Sequence, residues 1–144
     1  MHYYLADRRA HHMHPGSRAI LLDEEGFVSE ASTANILIYR ESEGLVSPPL
    51  HKILPGVTLS VLAELAAQLG VPVQYRDFRL DELKTADEIL LCSTSPCVWP
   101  VTQVNGRPAG GAPKGPLVCR LLSAWSELVG LDIVAQAQQF SRRG

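Results

Sequence analysis

Three short stretches of the 144-residue chain carry residue types that can do chemistry. The first is Ile53-Leu54-Pro55-Gly56-Val57-Thr58, placed just before a helical pattern. The leading N–H groups of a helix lack partners within it and carry the positive end of its dipole. A glycine there lets the backbone approach an anion closely, so Gly56, Val57 and Thr58 can bind a phosphate. The same residues also fit a plain Pro-Gly turn into a helix capped by Thr58. The second stretch, Ser93-Thr94-Ser95, follows a buried strand. Its hydroxyls suit a phosphate or carboxylate ligand, and equally an ordinary strand-to-loop transition. The two stretches gain weight together if they converge on one anion. The third is Glu30, which ends an apolar strand and precedes Ala31-Ser32-Thr33-Ala34-Asn35. A carboxylate beside a buried strand needs a partner, because burying an isolated charge is costly. A protonated heterocyclic nitrogen would serve, and exposure in a surface loop would remove the need.

Two other groups are weaker. His11, His12 and His14 crowd the end of a helical segment, but adjacent histidines point in different directions, which argues against a metal site. Cys92 and Cys97 have no second pair to complete a zinc site and read as small buried hydrophobes. No metal is expected.

Composition narrows the setting. The chain is 46% hydrophobic and 19% charged with a net charge of -2, which argues against nucleic-acid and membrane-surface partners. No apolar run reaches the ~18–20 residues that a bilayer span needs. Three cysteines are too few for a disulfide framework, and the first residues lack a basic segment followed by an apolar one. Together these point to a reducing, cytoplasmic setting.

The elements that must position these residues follow from periodicity. Helices are expected over residues 3–13, 57–69, 80–86 and 116–129, with Gly70 ending the second. Strands are expected over 18–23, 27–30, 35–40, 45–47, 73–78, 87–92 and 98–104. Residues 35–40 are apolar on both faces and so central. Pro100 marks a bend or an edge, and Asn105-Gly106 is the strongest hairpin signal. Residues 110–116 read as a glycine-rich loop, and the tail beyond Ile133 as frayed. Strands and helices in this order indicate one mixed α/β domain.

Taken in order, these segments resemble the C-terminal, cofactor-binding domain of the fold-type IV aminotransferases. That family includes branched-chain and D-amino acid aminotransferases and 4-amino-4-deoxychorismate lyase. The resemblance runs through Ala19-Ile20-Leu21-Leu22-Asp23, Gly26-Phe27-Val28-Ser29-Glu30, Asn35-Ile36-Leu37 and Pro48-Pro49. It continues through Ile53 to Thr58, Ala86-Asp87-Glu88, Ser93-Thr94-Ser95, Pro100-Val101, Gly106 and Gly115-Pro116. It implies a barrel-like mixed sheet with flanking helices and a pyridoxal 5'-phosphate cofactor. Glu30 would pair with the pyridine nitrogen and Leu54 would pack on the ring. Gly56, Val57 and Thr58, joined by Ser93 and Thr94, would hold the phosphate. Ser95 and Pro96 would face the substrate carboxylate, and Tyr3 or Tyr4 the ring hydroxyl.

The pattern departs from the family in two ways. The Schiff-base lysine belongs a few residues before the segment matching Tyr3-Tyr4-Leu5, and none of Lys52, Lys84 and Lys114 takes its place, so no catalytic residue is assigned. The smaller N-terminal domain has no counterpart either. The chain therefore reads as a cofactor-binding domain truncated at its N-terminus. The whole protein would be a homodimer acting on amino acids, as transaminase or lyase. A non-catalytic module that retained the fold is the alternative.

Overall fold

The computed structural model describes residues 2–95, 97–110 and 115–141. Pro96, Lys114 and the middle of the glycine-rich loop lie outside the described residues.

Helix α1 (His2–Met13) leads into a hairpin of β1 (Ile20–Leu22) and β2 (Val28–Ala31). β3 (Asn35–Arg40) and β4 (Gly44–Ser47) follow, then a 3-10 turn at Leu50–Lys52 and helix α2 (Val57–Gln68). β5 (Val73–Tyr75), α3 (Leu80–Thr85), β6 (Glu88–Ser93) and β7 (Cys97–Pro100) come next. A small hairpin, β8 (Gln103–Val104) and β9 (Arg107–Pro108), precedes α4 (Pro116–Val129) and α5 (Ile133–Ser141). Five strands form one sheet in the order β5-β4-β3-β6-β7, antiparallel except for the parallel pair β4 and β5.

β3 is the central strand, as its two-faced apolar pattern requires. Its side chains alternate. Leu37 joins Leu45, Leu90 and Cys92 against α2 and α4. Ile36 and Ile38 join Val46, Ile89, Phe78, Leu83 and Val28 on the other face. There the hairpins supply Ile20 and Val104, so strands enclose the core from both sides in a barrel-like way. Pro100 ends edge strand β7, where its missing N–H costs no ladder bond. Asn105 and Gly106 both take positive φ, the geometry that a two-residue hairpin turn demands.

Four expectations change. The strand at 98–104 divides after Pro100: Cys97–Pro100 forms the edge of the main sheet, while Gln103–Val104 pairs with Arg107–Pro108 in a separate two-stranded sheet. The strand at 73–78 stops at Tyr75; past the last ladder bond, Arg76 N to Ser47 O, the chain turns so that Phe78 enters the second core and its carbonyl accepts from Val28 N. The tail is helical over Ile133–Ser141, with Asp132 Oδ1 accepting from Ala135 N at 2.9 Å in its first turn. Thr58 does not cap α2; Gly56 is the N-cap residue and Thr58 lies inside the helix. His11 closes the end of α1, with Nδ1 3.3 Å from Ser17 O and Gly16 N donating to Nε2 at 3.4 Å.

Two polar devices hold the frame. Glu88 is 5% exposed, and its carboxylate accepts from Leu117 N at 2.7 Å and Val118 N at 2.9 Å. It thus satisfies the first turn of α4 with charge of the favourable sign. Gly115 is there because any Cβ would overlap the Glu88 side chain. The second device is the cluster of Arg40, Glu43, Arg76 and Glu82, with Arg76 Nε 2.7 Å from Glu43 Oε1 and Arg40 Nη1 3.0 Å from Glu43 Oε2. Hydrogen bonds from Arg76 hold the Glu43 carboxyl below its ordinary value. Burial pushes Glu82 up, but hydrogen bonds from Arg76, the Arg79 backbone and Arg40 outweigh it and leave a net lowering.

Gly115→Ala should cost about 2–3 kcal/mol and Glu88→Gln about 1–2 kcal/mol, read as lower urea midpoints at unchanged slope. A Gly115→Ala protein as stable as wild type would contradict the contact. The acid limb has its own signature. A carboxylate with a depressed folded value contributes stability above its unfolded value and loses it as pH falls through the folded one. Stability should therefore decline below the ordinary glutamate value of 4.5. Glu43→Gln should flatten that decline, and an unchanged slope would remove the cluster from the explanation.

Candidate cofactor site

The candidate residues gather at one end of the central sheet. β2 ends there with Glu30 and Ala31, β3 begins there with Asn35, and β6 ends there with Ser93. Register fixes the last two as neighbours, since Asn35 pairs with Cys92. The loop from Ile53 to Gly56 crosses this end and delivers the first turn of α2.

That loop is held by its own backbone. Leu54 N donates to the Glu30 carboxylate, at Oε1. Leu54 O accepts from Asn35 Nδ2 at 2.9 Å and from Gly56 N at 2.8 Å. A Cβ on Gly56 would stand 3.1 Å from Asn35 Oδ1, which leaves little room for any side chain. The Leu54 side chain points away and is 73% exposed, and Val57 is 81% exposed. No side chain caps the start of α2. Its leading N–H groups and dipole end are therefore available to an anion, unlike those of α4, which Glu88 occupies.

The hydroxyl cluster sits at the tip between β6 and β7. Ser93 is half-buried and pairs with Cys97, while Thr94 and Ser95 are exposed. By strand alternation Ser93 lies on the face of Ile89 and Leu91, opposite to Leu90 and Cys92. Among the described residues no hydrogen bond links Thr58 with Ser93 or Thr94. The two stretches share one end of the sheet without a hydrogen bond between them. Tyr4 is 67% exposed and stands one turn before Asp7 on α1. Asp7 accepts from the Ser32 hydroxyl and from Ala19 N at 2.9 Å, which ties α1 to the turn between Glu30 and Asn35.

The described lysines are both paired. Lys52 Nζ lies 2.8 Å from Asp77 Oδ1, 2.9 Å from Asp23 Oδ2 and 5.0 Å from the centre of the Phe27 ring. Hydrogen bonds to Asp77 and then Asp23 raise its pKa above the usual lysine value. Lys84 Nζ pairs with Asp81 Oδ1 at 2.6 Å. A neutral amine is the nucleophile, so the two carboxylates make Lys52 a poor one. Burial pushes the Cys92 thiol up to about 12 and also raises Cys97, so neither is a ready thiolate. Among the described residues no cluster of His, Cys, Asp and Glu is placed to hold a metal ion, and no helix is long and apolar enough to cross a membrane.

Two features of this site were not singled out from sequence. Asn35 holds the Leu54 carbonyl, and its only trace is a polar residue opening the apolar run Ile36-Leu37-Ile38. Lys52 anchors the approach to the loop through two carboxylates distant in sequence, which no local pattern reveals.

Comparison with known proteins places this arrangement. A branched-chain-amino-acid aminotransferase of Pseudomonas aeruginosa is 32% identical over 120 residues, covering 83% of this chain and 39% of the relative. A D-alanine aminotransferase of Listeria monocytogenes is 31% identical over 117 residues, covering 81% of this chain and 40% of the relative. A branched-chain amino acid aminotransferase of T.th., solved in complex with N-(5'-phosphopyridoxyl)-L-glutamate, superposes with a TM-score of 0.81 at 31% identity over 89% of this chain and 42% of that one. The chain thus spans well under half the length of each of these proteins. The profile of the amino-transferase class IV family matches residues 1–104, and with that match the chain belongs to the class IV amino-transferases.

Proposed function

We propose that this chain is the cofactor-cradling part of a longer pyridoxal-phosphate enzyme acting on amino acids, and that alone it binds the cofactor without a covalent anchor. The observation that carries this reading is the uncapped start of α2, set beside a loop that Glu30 and Asn35 hold in place. A phosphate fits a helix end with open N–H groups. An aromatic ring fits beside an exposed Leu54, and Glu30 offers a carboxylate within reach of the same loop. Pyridoxal phosphate, when bound, supplies an electron-withdrawing ring that stabilises negative charge at a substrate carbon.

The chain's own residues would act as follows. The backbone at Gly56, Val57 and Thr58 holds the phosphate, with hydroxyls from Thr58, Ser93 and Thr94. Glu30 keeps a proton on the ring nitrogen. Leu54 covers one ring face, and Tyr4 or Tyr3 meets the ring hydroxyl. Ser95, and Pro96 beyond the described residues, orient the substrate carboxylate. The reacting lysine and the remaining pocket belong to an N-terminal portion of the longer protein and, in a cytoplasmic homodimer, to the second subunit. Transaminase and lyase chemistry are both compatible with this division of labour.

Pyridoxal phosphate added to the chain should bind reversibly, and borohydride should leave Lys52 unmodified because Asp77 and Asp23 keep its amine protonated. Thr58→Val and Thr94→Val should each weaken binding by about 1–3 kcal/mol with cooperative unfolding preserved. A borohydride-stable adduct on one lysine would overturn the non-covalent reading. Complete absence of binding would favour a non-catalytic module that kept the fold. In a longer parent protein that carries the lysine, Glu30→Gln should keep the cofactor yet lower single-turnover rates about a hundredfold. Wild-type rates in that variant would make Glu30 an ordinary loop carboxylate.

A further inference from the structure

We propose that Asn35 is a positioning residue that sets the phosphate-binding turn, and that it governs affinity for the phosphate of the cofactor rather than for its ring. The proposal rests on the cofactor reading above. Strand alternation places Asn35 on the same face as Leu37, the face covered by α2. It is 8% exposed, so its amide must find partners within the protein. Nδ2 finds the Leu54 carbonyl at 2.9 Å. Oδ1 faces Gly56 at a distance that leaves almost no room for a Cβ.

One side chain thereby does two things. It fixes the orientation of the Leu54 peptide, and it limits how close the backbone at Gly56 can come to the sheet. The direction of the first α2 N–H groups follows from both, because only Pro55 and Gly56 separate Leu54 from Val57. The Leu54 carbonyl also accepts Gly56 N, so losing the Asn35 donor would leave it a single tight-turn partner. Asn35 further pairs with Cys92 at the same end of the sheet, on the face opposite to the Ser93 side chain. An aspartate here would set oxygen lone pairs against the Leu54 carbonyl and add negative charge behind an anion site.

The test compares a ligand with and without its phosphate, and phosphate alone. Dissociation constants for pyridoxal 5'-phosphate, pyridoxal and inorganic phosphate are measured on the wild-type chain and on Asn35→Ala, Asn35→Asp and Gly56→Ala. Urea unfolding is followed in parallel. Wild type should prefer pyridoxal phosphate over pyridoxal. Asn35→Ala should cut that preference about tenfold, the size of one hydrogen bond lost, while pyridoxal affinity stays unchanged. Gly56→Ala should match it, and Asn35→Asp should cut further and weaken inorganic phosphate most. A merely structural role would weaken pyridoxal and pyridoxal phosphate in parallel, and that outcome overturns the proposal. So does a wild-type preference retained in Asn35→Ala. If Asn35→Ala fails to fold, Asn35→Asp and Gly56→Ala report on the same contact from its two sides. Absence of any preference in wild type removes the cofactor reading and Asn35 with it, whereas a wild-type preference that survives every variant removes Asn35 alone.

Discussion

A strand covered on both faces and both edges admits polar chemistry only at its ends. β3 is such a strand: Ile36, Leu37 and Ile38 are fully buried, and its polar residues are Asn35 at one end, with Tyr39 and Arg40 at the other. The two ends have opposite characters. At the Arg40 end Glu43 and Glu82 pair with the guanidinium groups of both Arg40 and Arg76 in a closed network. At the Asn35 end a neutral amide meets backbone, and the nearby groups are helix N–H donors, hydroxyls and one carboxylate. Charge is consumed at the first end and left available at the second. The sheet therefore decides where an anionic ligand could be stabilised before any individual residue of the site is considered.

Helices α2 and α4 repeat this polarity. α4 starts near the Arg40 end, where Glu88, paired with Tyr39 across β3 and β6, fills its first turn. α2 starts at the other end, where no side chain caps it. Burying an uncompensated helix end is expensive, so α4, entering beneath the sheet's core, needs a fixed internal anion. α2 starts at the surface, as the exposure of Val57 indicates, and water can satisfy its N–H groups until a ligand displaces it. Removing a cap normally costs helix stability. Here the loss is offset by the apolar stripe of Leu59, Leu62, Leu65 and Ala66, which binds α2 to the sheet regardless of how it begins. An exposed helix start can thus remain open without unfolding the helix behind it.

How much of this was legible depended on the range of the interaction. β3, α2 and α4 stand out because a period of two or of 3.6 is written in adjacent residues, and Asn105-Gly106 because one dipeptide satisfies one turn. The candidate positions around Glu30, Gly56 and Thr94 were visible as short motifs. What joined them was not. Glu88 lies within a stretch that reads as plain strand, yet its partners are 29 and 30 residues away. Lys52 meets carboxylates on either side of it in sequence, 29 and 25 residues distant. Thr58 was a sensible cap by type, but the Leu54 to Gly56 turn starts the helix early and carries Thr58 inside it. The helix at Ile133–Ser141 escaped because it is short and its support comes from packing of Ile133 on the core and from Asp132.

The position of Glu30 joins the two halves of the site. One of its carboxylate oxygens accepts from Leu54 N, so the residue proposed to meet the ring nitrogen also braces the loop that leads to the first turn of α2. An ionised carboxylate has about four acceptor directions, and the second oxygen is not needed by Leu54. Ring contact and loop bracing can therefore coexist on one side chain. The arrangement also has a mechanical consequence. Leu54 is held by Glu30 through its N–H and by Asn35 through its carbonyl, with the two anchors on successive strands joined by a four-residue turn. That turn is itself pinned, because Ser32 binds Asp7 through its hydroxyl and Ala19 through its N–H. A shift in either anchor moves the same peptide, and with it the first turn of α2. Substitutions at Glu30 would register at the first turn of α2 even without touching it, since both are fastened to one backbone unit.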